Sequence, residues 1–242
     1  FPTRRSSDLV KKRHCATPKF AVIGYGKMGG KELGYASDLD LVYLFDDDAM
    51  DAEENYTRLS QRLNSWLSSQ TPAGILFETD LRLRPNGDSG LLAVSVDAFR
   101  DYQLKNAWPW EHQALTRARF CAGDPAVGRR FEEIRVEILR LPRDLAKLKE
   151  DVVAMRQKMY DAHALNSDTG FALKHDPGGI IDVEFIVQYL ILGHAHQYAE
   201  LTGNLGNIAL LRMAGELGLI DPAQAKAAGN AYREYRRLQH AR

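Results

Sequence analysis

Residues 20–48 read FAVIGYGKMGGKELGYASDLDLVYLFDDD, in which a glycine cluster and the pattern Ser-Asp-Leu-Asp-Leu separate two apolar runs. A short predicted strand precedes Gly24-x-Gly26-x-x-Gly29, as in a dinucleotide-binding fingerprint. Asp46 follows about 20 residues later, where a ribose-binding acid is expected. The fingerprint and the paired aspartates imply different folds. The number of residues between the glycines and the aspartates decides between these two folds.

That interval excludes the dinucleotide-binding fold. A parallel βαβ crossover needs about a dozen residues or more, whereas only residues 31–37 separate Gly30 from Asp38. We expect residues 27–35 to form at most a short helix. Asp38 and Asp40 stand two residues apart at the start of the next strand, and therefore on one face. In a doubly wound sheet that face is covered, and two unpaired carboxylates there would be costly.

The paired aspartates favour a metal site. Carboxylates at i and i+2 lie about 6–7 Å apart along a strand and can share hard divalent ions such as Mg²⁺. Two such ions can clamp a phosphoryl transfer. The upstream glycines would then present backbone N–H groups to a triphosphate, with Lys27 as a positive charge. The alternative is that Asp38 and Asp40 mark an exposed turn, which the adjoining glycines and apolar strand make less favourable.

A longer strand is predicted from Gly74 through ILFETDLRLR to the turn at residues 85–87. Its polar face would carry four charged residues: Glu78, Asp80, Arg82 and Arg84. A third metal-binding carboxylate and guanidinium groups for phosphate would account for this face. Asp80 is therefore predicted as the third ligand. A cross-strand ladder of ion pairs is the alternative.

The composition is that of a globular protein, with 45% apolar and 26% charged residues in 242. The balance of 32 basic and 32 acidic residues argues against a general nucleic-acid or anionic-membrane surface. We identify no apolar run near the roughly 18 residues that a membrane helix needs. Cys15 and Cys121 lack metal-ligand spacing, which suits a reducing cytoplasm. We therefore predict a cytoplasmic location and neither a nucleic-acid nor a membrane partner.

The chain changes character near residue 125. Before it, the pattern is mixed, with strands at 20–23, 39–45 and 91–94 and helices at 53–70 and 96–104. After it, the period is helical, at 131–141, 144–164, 181–196, 205–217 and 222–240. Asp221-Pro222 is a predicted helix start. We predict an α/β catalytic domain at 20–125 and a helical bundle domain at 126–242.

Residues 1–19 are predicted to be a tail. Its first nine residues, FPTRRSSDL, resemble the translation of a common sequencing adapter. The chain also stops within a helical pattern that has no capping residue. We expect the tail to be partly non-native and the chain to be a fragment of a longer protein.

Four ordered motifs resemble those of the glutamine synthetase adenylyltransferase family, from about Phe20 to the end. They are GYGKMGGKEL with SDLDL (24–33 and 37–41), DLRLRP (80–85), WPWEHQALTRAR (108–119) and GGIIDVEF (178–185). The resemblance implies an α+β fold: a nucleotidyltransferase domain of the DNA polymerase beta-like type with a small mixed sheet, then an all-α bundle. The family has two related halves, which add AMP to glutamine synthetase from ATP and remove it by phosphorolysis. Residues 108–113 resemble the carboxy-terminal, adenylylating half.

The resemblance also implies residue roles. Asp38, Asp40 and Asp80 would hold two Mg²⁺ ions around ATP while a tyrosine hydroxyl of glutamine synthetase attacks the α-phosphorus. Asp80 is expected to orient or deprotonate that hydroxyl. Residues expected at the nucleotide are Lys27, Gly29, Gly30 and Ser37, with Arg82 and Arg84 as phosphate or partner contacts. The alternatives are deadenylylation, transfer to another protein such as the PII signal protein, or a silent regulatory half that binds nucleotide and PII.

Three other motifs have a structural alternative. The tryptophans of residues 108–113 could form a binding box or a packed hinge, while Arg117 and Arg119 could position the nucleotide or the neighbouring strand. The acids in residues 178–185 could complement a helix dipole or face the catalytic site. His194 and His196 point to different helix faces and make a poor metal pair.

Overall fold

The computed structural model describes residues 16–34, 37–164 and 171–240. Residues 1–15 lie outside this part, and with them the predicted adapter sequence and Cys15. A mixed sheet is formed by β1 (Phe20–Gly24), β2 (Leu39–Phe45), β5 (Thr79–Asp80), β6 (Ala93–Ser95) and β7 (Arg119–Gly123). The strand order is β5-β2-β1-β7, and β6 also pairs with β2. A separate hairpin joins β3 (Gln70–Thr71) and β4 (Gly74–Ile75).

The first two strands confirm that the glycine cluster does not open a parallel βαβ unit. β1 and β2 are antiparallel, with Ile23 opposite Val42. Between them lies a single helical turn, α1 (Gly26–Gly29), followed by a segment in which residues 35 and 36 are not described. β5 and β6 pair in parallel with the start and the end of β2, respectively.

The described residues contain eight further α-helices, three before residue 125 and five from Pro125 onward. They are α2 (Ala52–Leu67), α3 (Val96–Lys105), α4 (Pro109–Leu115), α5 (Pro125–Leu139), α6 (Leu145–Ala164), α7 (Ile180–His194), α8 (Asn207–Glu216) and α9 (Pro222–His240). The start of α9 is as predicted, because Oδ1 of Asp221 accepts from the N–H groups of Ala223 (2.8 Å) and Gln224 (3.0 Å). α4 and β7 were not predicted from the sequence.

The predicted strand through residues 74–84 is wrong. Only β4 and β5 are paired strands in this stretch, and the chain turns after Asp80. Oδ1 of Asp80 accepts from the backbone N–H of Arg82 (2.9 Å), and Nη1 of Arg84 donates to the carbonyl of Leu81 (2.7 Å). These local bonds replace ladder pairing, so Arg82 and Arg84 do not continue a strand face with Asp80.

A shared core connects the sheet to the later helices. Ile23 and Val42 belong to one buried cluster with Phe131, Val187 and Tyr232. A second cluster packs α2 against the sheet through stacked aromatic rings of Phe20, Tyr43, Phe45 and Tyr56. The domain division at residue 125 stays a prediction. Among the described residues, no helix combines the length and apolar character that crossing a bilayer requires.

Candidate metal centre

Three carboxylates converge where β2 and β5 begin. Asp38, Asp40 and Asp80 each offer an oxygen within 4.8 Å of the others. The parallel register pairs Leu39 with Thr79 and Asp40 with Asp80. Leu39 is buried on one side of β2 while Asp40 is only partly buried, because successive side chains point to opposite faces. In the described ranges, this is the one group of three or more metal-ligating residues that the structure brings together.

Burial and the two neighbouring carboxylates disfavour the charge of Asp40. The pKa of Asp40 is raised to about 6, first by burial and then by Asp38 and Asp80. Lys27 and Arg82 oppose this shift, so the predicted positive charge of Lys27 does lie near the site. A cation held between the carboxylates would remove the repulsion. The oxygen-only donor set is the one that Mg²⁺ prefers, so the residues present fit that ion.

Asp80 has an exposed partner. Nε of Arg82 donates to Oδ1 (3.0 Å) and Oδ2 (2.9 Å) of Asp80, and this bonding lowers the pKa of Asp80. The Arg82 side chain is 73% exposed, so water screens the pair and its net energy is small. The contact therefore leaves Asp80 ionised and able to exchange partners at little cost.

The glycine turn packs directly against the carboxylates. Gly26 has φ +51°, and a Cβ there would lie 2.1 Å from Oδ2 of Asp40. The backbone N–H of Tyr25 donates to the carbonyl of Asp40 (2.9 Å). Only glycine fits position 26 both in backbone conformation and in space.

The predicted nucleotide contacts of the turn stay predictions. The N–H groups of Gly29 and Gly30 donate to the carbonyls of Tyr25 (2.8 Å) and Gly26 (3.0 Å). Oγ of Ser37, which is buried, accepts from the N–H of Gly34 (3.0 Å). These groups hold the turn itself in the structure as described.

A polar cleft of about 570 Å³ opens beside the carboxylates. It is lined by Asp38, Glu78, Thr79, Asp80, Leu81, Arg82, Arg84, Asp88 and Leu92. Arg84 is largely buried and donates to the carbonyls of Leu81 and Gly90 (2.7 and 3.3 Å), so it holds the loop after β5. The volume and the charged lining suit a polar small molecule.

Comparison with known proteins identifies the family. A family model described as Glutamate-ammonia ligase adenylyltransferase matches residues 3–134. The chain belongs to this family. A second model, described as GlnD PII-uridylyltransferase, matches residues 146–241. The resemblance inferred from the four sequence motifs is thus confirmed.

Curated members of the adenylyltransferase family align with nearly the whole chain. The protein of Aromatoleum aromaticum is 69% identical over 96% of this chain and 24% of its own length. That of Nitrosomonas europaea is 62% identical over 96% and 25%, and that of Bordetella bronchiseptica 60% over 98% and 25%. All three are described as bifunctional glutamine synthetase adenylyltransferase/adenylyl-removing enzymes. The chain spans about a quarter of their length.

The tryptophans of the 108–113 motif are exposed in the described structure, Trp108 by 66% and Trp110 by 37%. The packed member is Glu111, whose carboxylate accepts from the N–H of Trp108 (2.8 Å) and the hydroxyl of Tyr102 (2.9 Å). Nε2 of His112 donates to the carbonyl of Gln103 (3.0 Å), and among the described residues His112 belongs to no cluster of three or more metal-ligating side chains. The binding-box and packed-hinge alternatives for the tryptophans both stay predictions.

The acids of the 178–185 motif have different partners. Oδ2 of Asp182 accepts from the N–H of Gly178 (2.5 Å) at the start of α7, and its other oxygen pairs with Arg156. Glu184 instead pairs with Arg117 (2.6 Å). Asp182 thus stabilises the start of α7, while Glu184 belongs to a network at the glycine turn.

Sequence reasoning did not identify the rest of that network. Glu32 pairs with Arg117, and the hydroxyl of Tyr232 donates to Glu184 and to Glu32, which lies 200 residues away in the sequence. Glu32 lies in the 24–33 motif but had no predicted role, and Tyr232 lies in none of the four motifs. Arg119 was predicted only as a positioning group, and it does bind the carbonyls of Met28 and Gly29 (both 3.1 Å).

Proposed function

We propose that the chain is the adenylylating part of such an enzyme and transfers AMP from ATP to a tyrosine hydroxyl of glutamine synthetase. The observation that carries this proposal is the convergence of Asp38, Asp40 and Asp80 beside a polar cleft. The names of the relatives support glutamine synthetase as the acceptor. The form of residues 108–113 supports the adenylylating half over the adenylyl-removing half.

The three carboxylates would hold two Mg²⁺ ions. Their all-oxygen donor set and the raised pKa of Asp40 support this assignment. When bound, Mg²⁺ neutralises triphosphate charge and activates the attacking oxygen. Lys27 would add a positive charge on the side of Asp40, and Arg82 would add one at the cleft.

Asp80 would orient the acceptor tyrosine and receive its proton. The low pKa of Asp80 keeps it ionised near neutral pH, whereas a free tyrosine has a pKa of about 10. The tyrosine oxygen bonds to the α-phosphorus, the bond to the β-phosphate oxygen breaks, and pyrophosphate leaves. Arg82, released from Asp80, would then be free to contact the phosphates.

Two further activities have a specific observation in their favour. The relatives are described as bifunctional, which favours phosphorolytic removal of AMP as the alternative reaction of the same carboxylates. The PII-uridylyltransferase description at residues 146–241 favours contact with, or nucleotidyl transfer to, the PII signal protein. A cytoplasmic location, predicted from cysteine usage, belongs to the same proposal.

The test uses ATP labelled at the α-phosphate, Mg²⁺ and purified, unmodified glutamine synthetase. We expect label on the synthetase, located to a tyrosine by mass spectrometry, with release of pyrophosphate. Loss of AMP from the modified synthetase in the presence of phosphate would support deadenylylation instead. Transfer of label to PII alone would support the third activity, and no transfer in any arm would overturn all three.

A further inference from the structure

A mostly buried network of charged and polar side chains joins the glycine turn to the helical part of the chain. Arg117 donates through Nη1 to Oε1 of Glu184 (2.6 Å) and through Nη2 to Oε2 of Glu32 (2.8 Å). The hydroxyl of Tyr232 donates to the same oxygen of Glu32 (2.6 Å). The Arg117 side chain is 12% exposed and Tyr232 is 2% exposed.

The network members come from separate parts of the fold. Glu32 lies between α1 and Asp38, Arg117 lies between α4 and β7, and the other two lie on α7 and α9. Nη2 of Arg236, also on α9, donates to the backbone carbonyl of Glu32 (2.7 Å). Glu32 is thus held directly from α9 and, through Arg117, from α7.

The glycine turn itself abuts Arg117. A Cβ at Gly30 would lie 2.5 Å from Nη2 of Arg117, and one at Gly29 would lie 2.0 Å from its carbonyl oxygen. Asn204 donates to the carbonyls of Gly29 (3.3 Å) and Ala118 (3.1 Å). These two glycines therefore permit close packing of the turn against Arg117 and the helical part.

The charges make the network mutually dependent. Burial alone would lower the pKa of Arg117, but Glu184 and Glu32 raise it above its usual range. Burial and the same two carboxylates raise the pKa of Tyr232, so its hydroxyl stays protonated and donates. Removing one member would leave a buried partner uncompensated, which is costly.

We propose that Arg117 is a positioning residue for nucleotidyl transfer and acts together with Glu32, Glu184 and Tyr232. The network fixes Glu32 and the glycine turn, and the turn lies against Asp40. The helical part of the chain thereby sets the geometry of the metal and nucleotide site. This inference rests on the proposed function, in which a displacement of about 1 Å is enough to slow transfer strongly.

Two conservative variants test the network. Tyr232→Phe removes one hydroxyl and keeps the ring in the core, and Glu184→Gln removes one charge with little change in shape. At a temperature where circular dichroism shows both variants folded, we expect kcat to fall and KM for ATP to rise. Together these two changes should lower kcat/KM for ATP by about tenfold. In the double variant, the losses should be less than additive because both act on one network.

Asp221→Ala is the matched control. It removes the N-cap of α9, the helix that carries Tyr232, without touching the network. It should lower the melting temperature and leave kcat and KM unchanged. If Tyr232→Phe and Glu184→Gln behave like this control, Arg117 and its partners have only a stabilising role and the proposal is overturned.

Calorimetric titration with ATP and Mg²⁺ separates this inference from the proposed function. If the unchanged chain transfers no AMP, the proposed function fails, and the inference is then judged on ATP affinity alone. Weaker ATP binding in Tyr232→Phe, with binding retained in Asp221→Ala, supports it. Equal affinity in all three proteins, or no measurable binding by the unchanged chain, overturns it.

Discussion

Asp40 and Asp80 are directly paired residues on two parallel strands, β2 and β5. This pairing explains how carboxylates far apart in sequence form one site with Asp38. Because side chains alternate along a strand, a slip of one residue would turn Asp80 to the opposite face. The pairing of Leu39 with Thr79 therefore determines which face of β5 carries Asp80, and with it the geometry of the site.

Asp40→Asn should abolish AMP transfer, with a loss of about 10²-fold or more, because it removes a charged ligand from the proposed metal site. The rate of label transfer to glutamine synthetase measures this. Asp46→Asn is a suitable control, since Asp46 lies just beyond the other end of β2 and pairs with Arg130. Near-normal turnover in Asp40→Asn would refute the metal assignment.

The same variant should be more heat-stable than the unchanged chain when metal is chelated. The fold raises the pKa of Asp40 from its ordinary value of 3.8 to about 6, so the folded state binds the proton more tightly than the unfolded state does. The stability that the protonated Asp40 contributes is present below about pH 4 and is lost as pH rises to about 6. The difference in melting temperature should therefore be small at pH 4 and largest above pH 6.

Addition of Mg²⁺ provides the control for that pH series. Above pH 6 the ion should raise the melting temperature of the unchanged chain. This should reduce the difference in melting temperature between the unchanged chain and Asp40→Asn. A melting-temperature difference that stays constant from pH 4 to pH 7 would contradict the repulsion among the three carboxylates.

Local patterns predicted much of the fold. β2 was predicted at its observed bounds because its residues alternate between apolar and polar around Asp40 and are then continuously apolar up to Phe45. The start of α9 followed from Asp221-Pro222 because capping is a local interaction. β7 was missed because its sequence, RFCAG, has no alternation, and pairing with β1 defines it.

The candidate site was less predictable from local patterns. The convergence of Asp38, Asp40 and Asp80 followed from strand geometry and family resemblance, and the structure places them together. The strand through Arg82 and Arg84 was wrong because their side chains make local bonds that turn the chain. The Arg117 network could not be predicted, because contacts across 200 residues leave no periodic pattern.

Arg82→Gln should have opposite effects on metal and nucleotide binding. Loss of the pair with Asp80 makes that carboxylate more available, so Mg²⁺ alone should bind more tightly. Loss of the proposed phosphate contact should raise KM for ATP. Titration with Mg²⁺ and initial-rate kinetics measure the two effects.

Arg100→Gln is the matched control for this substitution. Arg100 also forms an exposed pair, with Glu137, and is not among the residues lining the cleft. It should leave both quantities unchanged. If Arg82→Gln behaves in the same way, Arg82 has no part in the site.

Gly26→Ala should prevent metal binding, whereas Gly218→Ala should not. Both glycines have a left-handed backbone, with φ +51° and +71°, so each substitution costs about 1–2 kcal/mol in backbone strain. Only at Gly26 would the new Cβ collide with Oδ2 of Asp40, since nothing lies within 4 Å of a Cβ at Gly218. The difference between the two variants therefore isolates the collision at the carboxylate.

The melting temperature with and without Mg²⁺ distinguishes these two effects. Both variants should melt below the unchanged chain in chelator, because both carry the backbone strain. Mg²⁺ should raise the melting temperature of Gly218→Ala as much as that of the unchanged chain and should leave Gly26→Ala unaffected. A full Mg²⁺ response in Gly26→Ala would mean that Asp40 can move away from the turn and still bind, and the close contact of Gly26 with Asp40 would then have no role in the metal site.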